Sequence, residues 1–350
     1  MSAIKSRKPS GTVPWPFILV EGAEKAGKSW AAAALSASEK VGQTYWIDLG
    51  EGAADEYGAI PGARYEVIDH DGTYADILAQ VEAVKAEAQR AAQAGEPPVV
   101  LIVDSLSALW ESLKDWTTEQ AKKSDKNKAK LRQDPAAEVD ISRNLWNLAG
   151  ARYRRVITHM LTFPGIVVGT ARGKEVSATD PATGQPYRDG RKDYRVEGHR
   201  TLPFDATVWV RMSRTADPLV VGARSVHAGI RPGADDPQPI KGEFSIERLV
   251  FELLKCDPGT AHTRDLREVV GGELSPEERA EAGEPPKPPT YEELALDVKN
   301  APDVAAVNRL ATTAVNVHRA GHLTDPQLEA IKKAVTARRA ELATPEGNAA

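Results

Sequence analysis

The sequence predicts an α/β fold, a mostly parallel sheet flanked by helices, with a small helical module behind it. Three observations predict it. Phe17-Ile18-Leu19-Val20 is an apolar run of strand type, followed by Glu21, a glycine-bounded loop and an alanine-rich run suited to a helix. Two further runs, 99–104 and 165–170, are apolar without alternation, as strands buried on both faces are. Around them strand-like and helical stretches alternate, which is the order that right-handed crossovers require.

Taken in order, residues 1–12 read as a flexible lead-in, basic at Lys5, Arg7 and Lys8 but followed by no apolar signal region. After the first helix, 44–49 has strand character and enters a Gly-rich acidic turn, 50–58. A short strand is expected at 65–68. A helix then begins at Thr73, carries Ile77, Leu78, Val81 and Val84 on one face, and ends near Gly95 before Pro97-Pro98. From Leu109 to about Met160 the pattern is helical, interrupted by a polar basic run from Lys122 to Arg132. The strand ending at Thr170 leads into a loop from Ala171 to about Arg200, too long for an idle connection. Strands at 206–212 and 219–221, then 244–254, complete a core spanning 13–271. An acidic, proline-rich linker follows at 272–289. Residues 290–344 form a helical module with segments at 292–299, 304–320 and 325–342. Leu328, Ile331 and Val335 recur there at helical spacing, and Pro326 suits a first turn.

Composition narrows the function. With 45 Lys and Arg against 50 Asp and Glu, the net charge is −5, so any nucleic-acid surface must be local. The lone cysteine, Cys256, forms no internal disulfide, which fits a reducing, cytoplasmic setting. No stretch approaches the ~20 apolar residues of a membrane span, so no membrane partner is expected. His159, His199 and His227 lack metal-ligand spacing, and Trp110, Trp116 and Trp146 suit core or interface better than cofactor contact.

The motif that carries chemistry is Gly22-Ala23-Glu24-Lys25-Ala26-Gly27-Lys28-Ser29, which fits G-x-x-x-x-G-K-[ST] without a mismatch. Its backbone N–H groups and the following helix N-terminus suit an anionic phosphate. Lys28 would reach the β- and γ-phosphates and Ser29 would meet Mg²⁺. A plain turn before a helix is the bland alternative, and the strand and helix on either side weigh against it. Trp30 follows directly and needs a pocket on the sheet or a subunit boundary. Asp104 ends its apolar strand where a carboxylate would lie beside the loop and hold the metal. Glu51 follows the strand ending at Asp48-Leu49 and could orient and deprotonate a water; the competing reading is a turn glutamate among Asp48, Asp55 and Glu56.

These segments resemble a known family. Ile47-Asp48-Leu49-Gly50-Glu51, continuing to Asp55 and Tyr57, is similar to the RecA segment in which a strand end precedes the catalytic glutamate. The likeness implies water activation by Glu51 and places Asp55 and Tyr57 near the base. Val103-Asp104-Ser105-Leu106-Ser107-Ala108-Leu109 is similar to that family's Walker B segment. The strand ending at Thr170 takes the place of the family's sensor strand, with Thr170 and Arg172 as candidate γ-phosphate sensors in place of a glutamine. Across 14–254 the chain resembles the RecA-like recombinases and single-strand-annealing ATPases of bacteriophages, the Sak type.

That resemblance implies a RecA-like core using ATP and Mg²⁺, single-stranded DNA as partner, and self-association into a ring or filament. A trans-acting cation is then expected, Arg224 first, with Arg211 and Arg231 competing. The loop after Thr170 takes the place of the family's DNA-binding loop and offers Arg172, Lys174, Arg188, Arg191, Lys192 and Arg195, with Tyr187 and Tyr194 interleaved. Glu175, Asp180, Asp189, Asp193 and Glu197 dilute that charge, and its composition alone reads as a solvated loop. The run from Lys122 to Arg132 and the segment Arg152-Tyr153-Arg154-Arg155 are further basic candidates, although charge runs are usually solvated faces. The C-terminal helices resemble the tails of phage annealing proteins, which implies contact with a single-strand-binding protein or another subunit. Two other classes stay open: a nucleotide-switched assembly or regulatory ATPase without DNA, and a helicase-type motor on the same core.

Overall fold

The structure is a computed structural model that describes residues 6, 8–180, 183–190, 192–228, 237–266, 289–319 and 322–343. Arg191, Arg231 and linker residues 272–288 lie outside that set. The chain divides into two compact units, residues 1–269 and 270–350.

In the first unit the order is β1 (Phe17–Gly22), α1 (Lys28–Leu35), β2 (Thr44–Asp48), α2 (Ala54–Tyr57), β3 (Tyr65–Val67), α3 (Tyr74–Gln93) and β4 (Val100–Asp104). It continues with α4 (Leu106–Lys122), α5 (Asp125–Gln133), α6 (Arg143–Leu161), β5 (Ile166–Ser177), β6 (Lys192–Glu197) and α7 (Leu202–Asp205). Then come β7 (Val208–Met212), β8 (Leu219–Ala223), β9 (Gln238–Pro239), α8 (Ile246–Arg248) and a π-helical turn, Leu249–Leu253. The sheet order is β3-β2-β4-β5-β1-β7-β8-β9, with β6 paired to β5 outside that path. β1, β2, β3, β4, β5 and β7 pair in parallel; β6, β8 and β9 add antiparallel pairs.

Alternation along β1 explains the layering. Phe17 and Leu19 face a core built with α3, α4 and α6, including Val81, Leu109, Tyr153 and Ile157. Ile18 and Val20 face the opposite core with Ala32, Leu35, Trp46 and Leu249. At the end of β1 the backbone of β7 comes so close that a Cβ on Gly22 would stand 2.3 Å from the Met212 carbonyl oxygen. Central strands end together at their carboxyl edge, so the loops after β1, β2, β4 and β5 share one rim.

Several sequence expectations change here. The segment 171–200, expected as a loop, contains a hairpin: β5 runs on to Ser177 and pairs antiparallel with β6 from Arg172↔Glu197 to Ser177↔Lys192. Both faces of this hairpin carry charge, so no apolar alternation announces it. The basic run expected to interrupt the helices is itself α5, capped by the Ser124 side chain accepting from the Asn127 N–H. Part of the acidic turn 50–58 is helical, as α2. Of the two places expected for Trp30, the sheet does not supply one: within one chain it is 54% exposed, edge-on to Tyr57 with ring centres 5.7 Å apart.

The second unit holds α9 (Tyr291–Asn300), α10 (Val304–Arg319) and α11 (Asp325–Ala343) around Leu294, Val298, Val307, Ala314, Leu328, Ile331 and Val335. Thr290 and Glu293 form a reciprocal capping box at the start of α9. Among the described residues no helix is long and apolar enough to cross a membrane.

Candidate nucleotide-binding site

The phosphate loop joins β1 to α1, and the first turn of α1 has neither a side-chain cap nor an acidic residue. Its leading N–H groups lack intrahelical partners, as at any helix start, and together with the helix dipole they favour an anion. Lys28 folds back over the loop and donates to the carbonyl oxygens of Gly22 (3.1 Å) and Ala23 (2.8 Å). Burial pushes its ammonium below the usual lysine value, against the pull of Asp104, Glu51, Glu21 and Glu24.

Asp104 closes β4 and is 2% exposed. Its Oδ1 accepts a short hydrogen bond from the Thr170 hydroxyl, and its Oδ2 is buried without a partner. Burial pushes its carboxyl up, against the hydroxyls of Thr170 and Ser29 and reinforced by the negative charges of Glu51 and Asp48. Thr170, read as a sensor, is thus fully buried with its hydroxyl committed to Asp104.

Glu51 is placed by a turn organised on Asp48. The Asp48 Oδ1 accepts from the N–H groups of Gly50 (3.0 Å), Glu51 (2.9 Å) and Gly52 (3.1 Å). That curl needs left-handed backbone on both sides of Glu51, and glycine supplies it at φ 90° and 64°. The Glu51 Oε1 then accepts from the Ser105 hydroxyl at 3.0 Å and lies 3.6 Å from the Arg172 guanidinium. Arg172 also donates to Glu111 at 2.9 Å. Read from sequence both as a candidate γ-phosphate sensor and as a DNA contact, it lines the cavity of about 300 Å³ formed by the loop residues, Glu51, Tyr57, Asp104, Ser105, Gly173 and Glu197.

The structure brings together Glu24 to Ser29, Glu51, Tyr57 and Asp104. It sets Arg224 apart. The Arg224 N–H donates to Thr207 O and its guanidinium to Asp205 O, both at 2.7 Å, while the Thr207 N–H donates to Phe17 O at the opposite end of β1. Within one chain, Arg224 therefore sits at the sheet edge away from the phosphate loop. Arg211 pairs with buried Glu21 at 2.9 Å.

Residues 16–198 match the family model described as "AAA domain", a span of just over half of the 350 residues. The chain belongs to the AAA-domain family. As an AAA-domain protein it carries a P-loop ATPase domain, and the loop at 22–29 has the sequence and the strand-to-helix setting that such a domain uses for nucleotide. A solved structure described as "Crystal structure of the RadB recombinase" is similar at 12% identity and a TM-score of 0.34, covering 61% of this chain and 84% of that one. No protein of curated function matches the sequence.

An AAA domain implies a nucleoside triphosphate with Mg²⁺, and the residues fit both. The orphaned Oδ2 of Asp104 beside Ser29 offers oxygen donors of the kind Mg²⁺ takes, and the uncapped start of α1 with Lys28 offers the anion site. Bound there, the nucleotide would supply an electrophilic γ-phosphoryl group; Ser29 and Asp104 would hold the metal and Lys28 the phosphates. The Glu51 carboxylate, held by the Ser105 hydroxyl and near the Arg172 guanidinium, is the group on this rim that would accept a proton from water.

Sequence reasoning missed three supporting residues. Ser107 accepts from the Arg172 N–H at 2.9 Å and donates a short bond to Glu197 O, pinning both strands of the hairpin root to α4. Ser105 and Glu111 hold the Glu51–Arg172 pair. Nothing in the composition around these residues sets them apart; their roles come from β5 and β4 being neighbours.

Proposed function

We propose that the protein is a magnesium-dependent ATPase that binds single-stranded DNA and promotes annealing or strand exchange in phage recombination, in the cytoplasm of the host. The observation that carries the DNA reading is on the hairpin. Residues of β5 and β6 alternate faces, so Arg172, Lys174, Arg195 and Glu197 share one face, with Lys174 directly opposite Arg195. Like charges placed opposite each other repel, and neither Lys174 nor Arg195 has an ion pair among the described residues. A polyanion laid along that face would relieve the repulsion. The same face leads through Arg172 to Glu51, so a bound strand would lie within one residue of the hydrolytic group. Lys192 lies on the opposite face and Arg188 beyond it toward the tip, where each could add a phosphate contact.

In this reading Ser29 and Asp104 hold Mg²⁺, Lys28 the phosphates, and Glu51 activates water. Self-association into a ring or filament would supply a trans cation; Arg224, whose guanidinium donates to the carbonyl oxygens of Asp205 and Ala206 within one chain, would have to leave them to serve a neighbour's site. The second unit would contact a single-strand-binding protein or another subunit. The test is ATP hydrolysis with and without single-stranded DNA at low and high salt. Stimulation that fades with salt is expected. Hydrolysis indifferent to DNA, with no strand retained at low salt, would favour a nucleotide-switched regulator.

A further inference from the structure

Glu21 has no exposed surface, sits immediately before the phosphate loop, and acts on the site described above only through its weak charge pull on Lys28. A carboxylate in a strand otherwise reading Phe-Ile-Leu-Val is costly to bury, and an ion pair seldom stabilises more than apolar residues of the same volume. Its Oε2 accepts from Arg211 Nε at 2.9 Å and from Trp209 Nε1 at 3.1 Å. Its Oε1 is buried and has no hydrogen-bond partner.

That orphaned oxygen faces the root of the hairpin. A Cβ on Gly173 would stand 2.0 Å from Oε1 and 3.2 Å from the carbonyl carbon of Gly22. Because a side chain at 173 would displace the buried Glu21 carboxylate, glycine lets β5 rest directly on Glu21 and on the first residue of the phosphate loop. From the other strand, the Tyr194 ring lies 4.9 Å from the Arg211 guanidinium, which in turn is 5.2 Å from the Trp209 ring. Tyr194, Arg211, Glu21 and Gly22 form a continuous line of contacts from the hairpin to the phosphate loop, on the face opposite Lys174 and Arg195.

We propose that Glu21 is a positioning residue that couples the hairpin to the phosphate loop, so that occupancy of one changes the affinity of the other. The proposal rests on the hairpin being the single-strand contact. Such coupling is reciprocal: nucleotide must change DNA affinity by the same factor as DNA changes nucleotide affinity.

The test measures four dissociation constants: labelled oligothymidine with and without a magnesium-bound non-hydrolysable ATP analogue, and the analogue with and without oligothymidine. In the full-length protein both factors are expected to be equal and at least about fivefold. In Glu21→Gln, which keeps the shape but removes the charge, each ligand alone should bind within about threefold of wild type while the factor falls below about twofold. A merely structural role would weaken both ligands and leave the factor standing, and that result overturns the proposal. Trp209→Phe, which removes one donor to Glu21 and leaves the ion pair, should give an intermediate factor. Should Glu21→Gln not fold, an unchanged factor in Trp209→Phe overturns it. If wild type binds no oligothymidine, the DNA reading fails and the coupling with it; if it binds and Glu21→Gln keeps the full factor, only the coupling fails.

Discussion

Two basic regions of the molecule invite comparison, helix α5 and the β5–β6 hairpin. In α5 the charges are matched locally: Lys126 and Lys130 pair with Asp140, and Lys128 with Asp125. The neighbouring Lys122 pairs with Glu119. On the hairpin, Lys174 and Arg195 face each other across the strands with no carboxylate among the described residues paired to either. The candidate nucleotide site repeats the second pattern: burial lowers the pKa of Lys28 and raises that of Asp104, in each case against the charged form. Charge that the fold has already neutralised marks a solvated face; charge that the fold leaves in tension marks a place for a ligand.

The largest effect expected from this contrast is in turnover. Glu51→Gln should keep nucleotide binding and lower hydrolysis by about 10²–10⁴-fold; a steady-state rate equal to wild type would remove Glu51 from the site. Next is charge reversal. Lys174→Glu with Arg195→Glu should weaken oligothymidine binding by roughly 100-fold or more, whereas Lys126→Glu with Lys130→Glu should change it less than about threefold. Equal losses from both pairs would erase the distinction. Milder neutralisation, Lys174→Gln with Arg195→Gln, should flatten the dependence of log affinity on log salt by about 1.4, two contacts at ~0.7 each.

A smaller effect tests the tension at Asp104. Its folded pKa is raised, so the ionised carboxylate costs stability in the ligand-free protein, and that stability is lost as pH rises through the raised value. Metal binding needs the ionised form, so nucleotide stabilisation by Mg²⁺ should fall away on acidification at a pH above an aspartate's ordinary 3.8. Asp104→Asn should abolish the magnesium-dependent part of that stabilisation. Without ligand the same variant should melt higher, by roughly 2–4 °C for about 1 kcal/mol. Lower ligand-free stability would show that Asp104 is satisfied as it stands.

The contrast also explains what was legible in the sequence. Strands β1, β4 and the buried part of β5 are runs of apolar residues, and the phosphate loop is a contiguous motif, so both could be read directly. Glu51 and Asp104 could be located because each follows a strand that the apolar pattern ends. The hairpin could not, because Lys174, Glu175, Asp193 and Arg195 put charge on both faces and hide the alternation of an exposed ribbon. Helix α5 was hidden for the same reason, being polar all round. Glu21 carried a signal that was passed over: a single acid in an apolar strand. Position in the chain offers Arg172 as either a sensor or a DNA contact; its pairs with Glu51 and Glu111 depend on strand neighbours that the sequence does not display.

The most direct measurement of the central claim is photocrosslinking of single-stranded oligothymidine to the protein, followed by peptide mapping, with and without magnesium and a non-hydrolysable ATP analogue. The crosslinks should fall within 172–197, on Lys174, Arg195 and their neighbours, and their yield should change when nucleotide is added. Crosslinks concentrated in 122–133, or spread without regard to nucleotide, would contradict it.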